Sequence, residues 1–256
     1  MQPITVGILG VGHLTYHMVP GLVAGETALQ VCLSPRNSER AQELSTRYGL
    51  EIAEDNTALV TQCDVILIGV RQFHAIEVVK GLPWRPEQTV VSCCAGLSLD
   101  ELSPHVNGAT VVRAMPVIAA EYRESPTCIF PDNDTTTKVL GNCGTVIPLG
   151  SEHDFNAATV SVCYSSMLLG LLARMVEWNE RAGIAPATAR QLVTELTKSS
   201  AIMARERTDS TIDEMVRELA TPGSFTLQGY EALWQADAFA PWVEASDELI
   251  KKLGQT

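Results

Sequence analysis

The sequence carries little positive charge. Its 18 lysine and arginine residues face 30 aspartate and glutamate residues, which gives a net charge of −12 over 256 residues. A surface this acidic repels phosphate backbones and anionic lipid headgroups, so we expect neither nucleic acid nor a membrane surface as a partner. The charge balance still allows one local basic pocket for an anionic cofactor.

The sequence also lacks the features that mark a metal site, a secreted chain or a membrane span. Its seven cysteines show no C-x-x-C spacing, so we expect no metal site and interpret the thiols as small buried residues in a reducing cytosol. The opening residues MQPITVGILG contain no basic segment, and no apolar run looks long enough to cross a bilayer. We therefore expect a soluble, cytoplasmic protein.

The first part of the chain alternates short apolar runs with helix-like segments. With 46% hydrophobic residues the chain can bury a large core. The alternation predicts an α/β fold with a Rossmann-like, doubly wound parallel sheet. The predicted strands cover 4–10, 29–34, 64–70, 89–95, 109–115, 127–131 and 144–150, and the predicted helices cover 13–25, 37–48 and 73–80.

After about residue 152, apolar residues recur at steps of three and four, which predicts an all-α second domain. The expected helices cover 154–182, a segment from Pro186, about 210–220, a segment from Ser224, and a last one from Pro241 to near Leu253. The first of these is apolar on more than one face, which indicates burial in a bundle or across a dimer seam. We place the domain boundary between residues 152 and 153.

The segment Gly10-x-Gly12-x-x-Thr15 lies where the first predicted strand meets the first predicted helix. That context is typical of a dinucleotide-binding loop. Gly10 permits a tight turn. Gly12 has no Cβ, so a pyrophosphate can approach the backbone closely. His13 and Leu14 open the helix, whose free N–H groups would face the phosphates. A plain tight turn is the alternative interpretation.

The second predicted strand ends in CLSPRN, without an acidic residue. Enzymes built for NAD usually place Asp or Glu there to bind the ribose 2′-hydroxyl. Ser34, Arg36 and Asn37 suit a 2′-phosphate instead, because arginine forms charge-assisted hydrogen bonds with it. The segment predicts NADPH (NADP) as the cofactor. An ordinary solvated loop arginine is the alternative for Arg36.

Together with these motifs, collinear blocks along nearly the whole chain resemble the pyrroline-5-carboxylate reductase family. The blocks are ILGVGHLTYHMVPGL (8–22), SPRN (34–37), DVILIGVRQFHA (64–75), VSCCAGLSLDEL (91–102), VVRAMP (111–116) and ATPGSFTLQGYEAL (220–233). Members of that family reduce a cyclic imine bearing a carboxylate, with NAD(P)H as hydride donor. The resemblance implies a homodimer formed through the C-terminal helices.

The resemblance also implies where cofactor and substrate contacts lie. Further cofactor contacts fall on Val70, Arg71, Ala95 and Gly96, and substrate contacts fall on Met115, Pro116, Thr159, Thr221, Ser224 and Thr226. Met115 and Pro116 should lie near the nicotinamide, because strand ends face the ligand crevice. For Ser224 a simple helix cap is the alternative, and we expect Arg113 to form a structural ion pair.

The substrate half departs from the family pattern. The family's Ser-Gly-Ser-Gly-Pro-Ala-Tyr run lines up with 162–168, which puts Tyr164 where a small residue is expected, and Phe225 stands in the carboxylate-binding loop. We therefore predict an atypical carboxylated imine as substrate, with catalytic roles for Tyr164 and Thr226. A packed aromatic is the alternative for Tyr164. Authentic pyrroline-5-carboxylate reductase and a non-catalytic NADPH-binding partner protein are the alternatives for the chain.

Overall fold

The chain folds into two compact units. The computed structural model describes residues 2–253, and within this range the units are 2–162 and 163–253. The division falls inside the helix Glu152–Arg181, whereas the sequence predicts a boundary at the start of that helix. One continuous helix therefore contributes residues to both units.

The first unit is built on a single eight-stranded sheet. Its strands are β1 (Ile4–Leu9), β2 (Leu29–Leu33), β3 (Glu51–Ile52), β4 (Val65–Ile68), β5 (Thr89–Ser92), β6 (Thr110–Met115), β7 (Thr127–Phe130) and β8 (Val146–Pro148). They lie in the order β3-β2-β1-β4-β5-β6-β7-β8. Neighbouring strands are parallel except β6 and β7. The predicted Rossmann-like sheet is confirmed.

The antiparallel β7 differs from the expected all-parallel pairing. Between β6 and β7 the described backbone forms a short 3-10 helix, Ile118–Tyr122, and no α-helix. A parallel neighbour needs a crossover connection of about a dozen residues or more, usually helical, while a shorter connection lets the chain return antiparallel. The strand–helix alternation that predicts parallel pairing stops at this point.

Helices cover both faces of the sheet. They are α1 (His13–Ala24), α2 (Ser38–Tyr48), α3 (Asn56–Gln62), α4 (Gln72–Val79), α5 (Leu99–Leu102) and α6 (Asp134–Gly141). Side chains that alternate along β4 enter opposite core layers: Leu67 packs in the layer beneath α1, and Ile66 and Ile68 pack in the layer beneath α3 and α4. Burial on both faces explains why the central strands are apolar on consecutive residues.

The second unit is helical, as predicted. After α7 (Glu152–Arg181) come α8 (Pro186–Glu206), α9 (Ile212–Leu219), α10 (Phe225–Gln235) and α11 (Ala240–Leu253). Proline stands in the first turn of α8, where the missing N–H has no partner to lose. Thr211 and Glu214 form a capping box that begins α9.

Candidate functional site

The turn after β1 requires both of its glycines. Gly10 has φ of +101°, and a Cβ there would lie 2.5 Å from Cγ1 of Val70. A Cβ on Gly12 would lie 2.9 Å from the carbonyl oxygen of Gly69. Side chains at either position are therefore excluded, and the backbone of the turn stays open for a ligand to approach at the start of α1.

Thr15 occupies the third position of the fingerprint, where glycine is usual. It is fully buried, and its hydroxyl accepts a hydrogen bond from Gly12 N at 2.9 Å and donates one to the Gly10 carbonyl oxygen at 2.8 Å. A Cβ on Gly69 would lie 2.2 Å from Cγ2 of Thr15. The absent side chain at Gly69, just after β4, therefore makes room for the threonine that fixes the turn.

A cleft of about 760 Å³ opens at this turn, a volume within the range of small-molecule sites. It lies where β1 has β2 on one side and β4 on the other, which is the topological switch point of the sheet. The lining residues are Gly10, Val11, Gly12, His13, Leu14, Arg36, Asn37, Arg40, Gly69, Val70, Arg71, His74 and Cys93. Among these described residues three are arginines and none is acidic, so a basic pocket lies within an acidic chain.

The loop after β2 supplies one side of the cleft. Arg36 is exposed there, and Asn37 Nδ2 donates to the Val11 carbonyl oxygen at 2.9 Å. Ser34 is buried, and its hydroxyl oxygen accepts a hydrogen bond from Gly10 N at 2.9 Å. Ser34 thus lies beneath the glycine turn and holds the loops after β1 and β2 together.

Arg40 lies in the first turn of α2, four residues after Arg36, and the sequence motifs do not single it out. Its guanidinium carbon lies 5.7 Å from the ring centroid of Tyr16, within cation–π range. The Tyr16 hydroxyl donates to the Glu43 carboxylate, and this bond raises the pKa of Tyr16. A basic residue at the start of the predicted helix 37–48, directly after the SPRN loop, was the available signal for Arg40.

The ends of β4 and β5 form the other side. Val70 and Arg71 line the cleft, and Arg71 is the exposed N-cap residue of α4. Gly96 has φ of +78°, and its carbonyl oxygen accepts a hydrogen bond from Gln72 Nε2 at 3.2 Å. Ala95 is exposed beside it, while the end of β5 lines the cleft through Cys93, a neutral thiol whose pKa burial raises.

Met115 ends β6 and Pro116 follows it, and both are buried. Arg113, two residues earlier, is 2% exposed and forms the predicted ion pair, with Nη1 2.8 Å from Oε1 of Glu152. Arg113 also lies over the Phe155 ring, 4.4 Å from its centroid. These contacts fix the start of α7 against the end of β6.

Thr159 lies one turn further along α7 and is buried. Its hydroxyl donates to the Phe155 carbonyl oxygen at 2.9 Å. Such a bond to the preceding turn is common for threonine in helices. The predicted substrate contact at Thr159 stays a prediction.

The remaining predicted substrate residues belong to the second unit. Gly223 has φ of +81°, and Ser224 N donates to the Thr221 carbonyl oxygen at 3.0 Å, which closes a turn before α10. Ser224 Oγ accepts from Leu227 N at 3.1 Å, so Ser224 caps α10, the alternative left open in the sequence. Thr221 and Thr226 are exposed.

Tyr164 and Phe225 are the two bulky residues that depart from the family pattern. Tyr164 is 52% exposed on α7, and its ring centroid lies 5.7 Å from that of Trp242 on α11. Phe225, the first residue of α10, is 91% exposed. The contact with Trp242 fits the packed-aromatic alternative for Tyr164, while about half of the side chain remains accessible.

The structure brings one group of predicted residues together in the cleft: Gly10, Gly12, His13, Leu14, Arg36, Asn37, Val70 and Arg71. It adds Arg40, Gly69, His74 and Cys93, which the sequence reading missed as cleft residues. Gly69 follows β4 and Gly10 follows β1. Because these strands are parallel neighbours, their carboxyl ends meet at one edge of the sheet, and the predicted strands alone could have placed Gly69 in the cleft. His74 and Cys93 had no distinguishing signal, because single histidines and cysteines occur throughout the sequence.

The second unit exposes many large apolar side chains. They include Leu169, Leu171, Met175, Trp178, Leu192, Leu196, Ile202, Leu233, Trp234 and Val243. By length and composition α7 is also apolar enough to cross a membrane, which corrects the sequence expectation that no such run exists. Core helices of soluble proteins meet the same criterion.

Two family models match the chain. Residues 5–96 match "NADP oxidoreductase coenzyme F420-dependent", and residues 152–255 match "Pyrroline-5-carboxylate reductase dimerisation". Pyrroline-5-carboxylate reductase 2 of Dictyostelium discoideum is 24% identical over 255 residues, which cover 89% of this chain and 85% of the relative.

Solved structures agree with the fold. The pyrroline-5-carboxylate reductase of Streptococcus pyogenes has a TM-score of 0.85 at 23% identity and covers 99% of both chains. The Plasmodium falciparum enzyme, solved with NADP bound, has a TM-score of 0.84 at 19% identity and covers 99% of this chain and 98% of its own. The chain therefore combines a Rossmann-like unit with a segment that matches the pyrroline-5-carboxylate reductase dimerisation family, and its fold is similar to that of solved enzymes of that name.

Proposed function

We propose that this protein is an NADPH-dependent reductase of a carboxylate-bearing cyclic imine. The observation that carries the proposal is the acid-free cleft at the switch point of the sheet, with its open glycine turn and three arginines. Ligands of open α/β sheets bind at this position. The match to the pyrroline-5-carboxylate reductase dimerisation domain and the names of the relatives support reduction of a C=N bond.

The cleft residues fit each part of the cofactor. Gly10, Gly12 and the N-terminus of α1 suit the pyrophosphate, because N–H groups and the helix dipole favour negative charge. Arg36 suits the 2′-phosphate with a charge-assisted hydrogen bond worth about 1.5–3 kcal/mol. Ser34 is assigned a positioning role, since its hydroxyl already holds Gly10 N.

Bound NADPH would supply a hydride to the electrophilic carbon of the imine. A protonated imine accepts hydride readily, so the substrate itself can bring the proton. The protein then has to hold the imine near the nicotinamide and exclude water. Met115 and Pro116, buried at the carboxyl end of β6, suit the apolar wall of such a site.

The loop before α10 suits the substrate carboxylate. Thr221 and Thr226 present exposed hydroxyls around the turn, while Ser224 is engaged as the cap. Free N–H groups at the start of an eleven-residue helix add to the attraction for an anion. The Tyr164 hydroxyl is assigned as a hydrogen-bond donor to the substrate.

We assign an atypical imine as the substrate. Phe225 and Tyr164 replace small residues of the family pattern with exposed aromatic rings, so the space beside the carboxylate loop differs in shape and polarity. Authentic pyrroline-5-carboxylate reduction is the second candidate. It is favoured by the name of the relative that matches 89% of this chain.

Steady-state oxidation of NADPH separates the candidates. The panel contains pyrroline-5-carboxylate, larger and smaller carboxylated cyclic imines, and the same rings without the carboxylate as controls. We expect a carboxylated imine other than pyrroline-5-carboxylate to give at least about tenfold higher kcat/KM, the discrimination that pocket shape commonly provides. Efficient turnover of pyrroline-5-carboxylate would favour the second candidate, and NADPH binding without turnover of any imine would favour a non-catalytic partner protein.

We further assign a cytoplasmic homodimer assembled through the second unit. The support is the match to the dimerisation domain together with the exposed apolar side chains on α7, α8 and α10. Contiguous apolar surface of this kind marks a protein–protein interface. A second copy would cover the apolar face of α7, so this assignment needs neither a membrane nor nucleic acid as partner.

A further inference from the structure

Two cysteine side chains meet beside the first strand, away from the residues of the cleft. Cys32 lies on β2, and Cys63 ends α3. Both thiols are free and buried. Both line the same small pocket, and the neighbouring Cys63 thiol lowers the pKa of Cys32 while Cys32 raises the pKa of Cys63.

Gly7 on β1 makes this contact possible. It pairs with Cys32 across the parallel ladder. A Cβ on Gly7 would lie 3.2 Å from Sγ of Cys63 and 2.7 Å from Cδ2 of Leu59. Because neighbouring strands are about 4.8 Å apart, the Cys63 sulfur occupies the space next to Cys32 that a side chain on Gly7 would fill.

The pair is reached through a small opening. A pocket of about 80 Å³ is lined by Thr5, Gln30, Cys32, Glu51, Gln62 and Cys63. Gln62 Nε2 donates a hydrogen bond to Cys32 Sγ at 2.9 Å. Donors aimed at one sulfur favour its thiolate, although burial and the Glu51 carboxylate act in the opposite direction. The thiolate is the form that reacts with peroxides.

We propose that Cys32 and Cys63 form an oxidation site at which a hydroperoxide converts the two thiols into an intramolecular disulfide. The Cys32 sulfur attacks a peroxide oxygen and the O–O bond breaks. One oxygen leaves as water or alcohol, and Cys32 becomes a sulfenic acid. The Cys63 sulfur loses its proton and attacks the Cys32 sulfur, and the sulfenic oxygen leaves as water. The thiols lose two hydrogens and two electrons, which the peroxide accepts.

Oxidation at this site also affects the cofactor loop. Ser34, which holds Gly10 N, follows Cys32 by two residues. Closing the S–S bond to about 2.05 Å draws the end of β2 towards α3. The resulting shift at Ser34 moves Gly10, which suits the pyrophosphate, and the loss of one hydrogen bond to that charged group raises the dissociation constant of NADPH by about tenfold. This consequence rests on the proposed function, whereas the oxidation site does not.

Peptide mapping of the full chain tests the site. Purified protein is treated with hydrogen peroxide, free thiols are blocked, and non-reduced tryptic peptides are identified by mass spectrometry. Arg36, Arg40 and Arg47 separate the two cysteines into different peptides. We expect a Cys32–Cys63 cross-link that dithiothreitol reverses.

Three variants serve as comparisons. Cys32→Ser and Cys63→Ser each remove the cross-link, and Cys128→Ser, a change at a half-buried thiol on β7, retains it. Free thiols at 32 and 63 while other thiols oxidise, or a sulfinic acid at Cys32 without the cross-link, would overturn the proposal. A cross-link between chains through the exposed Cys163 as the main product would also overturn it. Mapping of the unmodified sequence decides the question even where a variant fails to fold.

Titration of the reduced and oxidised protein with NADPH tests the coupling. We expect the tenfold weaker binding after oxidation and its recovery after reduction. Unchanged affinity in a fully cross-linked sample would refute the coupling and leave the oxidation site standing. Failure of the reduced protein to bind NADPH would refute the proposed function instead, and the peptide map would still decide the oxidation site.

Discussion

At the scale of single residues, positive charge on one side of the cleft comes from two arginines that differ in freedom. Arg40 is half-buried and packs over the Tyr16 ring, while Arg36 is exposed at the end of the β2 loop. A side chain held by packing loses little conformational entropy when it binds, whereas an exposed arginine has to be ordered by its ligand. Replacing the exposed Arg36 also disturbs less packing than replacing Arg40, so Arg36 is the better position for testing the separation of NADPH from NADH.

We expect Arg36→Glu to weaken NADPH binding by about ten- to a hundredfold, because it removes a charge-assisted hydrogen bond and adds a like charge opposite the 2′-phosphate. NADH lacks that phosphate and loses far less. Dissociation constants from fluorescence titration measure both effects. Arg47→Glu, in the last turn of α2 and stacked on Tyr48, is the matched control. Equal losses for the two cofactors would remove the 2′-phosphate assignment.

The glycine turn and Arg36 could be predicted because each needs one residue type at one place. Positive φ demands glycine, and a 2′-phosphate demands a cation. Ser34 and Ser224 could not be placed in the same way. A hydroxyl serves a ligand, a neighbouring loop or a helix cap equally well, and the structure shows Ser34 bonded to Gly10 and Ser224 to Leu227.

At the scale of elements, α1 and β4 are joined by the contact between Thr15 and Gly69. We expect Thr15→Gly to lower the free energy of unfolding by about 2 kcal/mol, because it removes buried hydrogen bonds and places glycine in a helix. Urea denaturation measures the change. Thr46→Gly, at an exposed position of α2, should cost only about 0.3 kcal/mol, the difference in helix propensity between threonine and glycine. Equal costs for the two variants would show that the contact adds nothing.

Long elements with a clear period were predictable, and short ones were not. The period of three and four residues gave the five helices of the second unit. β3 has two residues and α5 has four, too few for any period to show. The antiparallel direction of β7 depends on the connection before it, which the strand's own residues do not encode.

At the scale of the whole molecule, the proposed dimer rests on the apolar surface of the second unit. We expect Leu196→Asp, at a 60% exposed position of α8, to convert a dimer into monomers, since a buried unpaired carboxylate is costly in an apolar interface. Sedimentation velocity measures the mass. Val23→Asp, at a 39% exposed apolar position of α1 in the first unit, is the control and should leave the dimer intact. A monomeric unmodified protein, or a dimer that persists in Leu196→Asp, would contradict the assignment.

The sequence indicated that α7 is apolar on several faces, but it could not settle what lies against those faces. Burial in a bundle and burial by a second copy give the same pattern of residues. Side chains such as Leu169 and Trp178 remain exposed within the described part of one chain. Burial in a bundle of the same chain therefore does not account for every apolar face of α7.

The basic cleft in a chain of net charge −12 has a kinetic consequence. A dinucleotide approaching from a distance meets a repulsive field, and only at short range does it meet the arginines. At physiological ionic strength the Debye length is about 8 Å, so the distant repulsion is screened while the close attraction survives. We therefore expect moderate salt to raise the association rate constant of the dinucleotide. In proteins whose net charge attracts the ligand, salt lowers that rate constant.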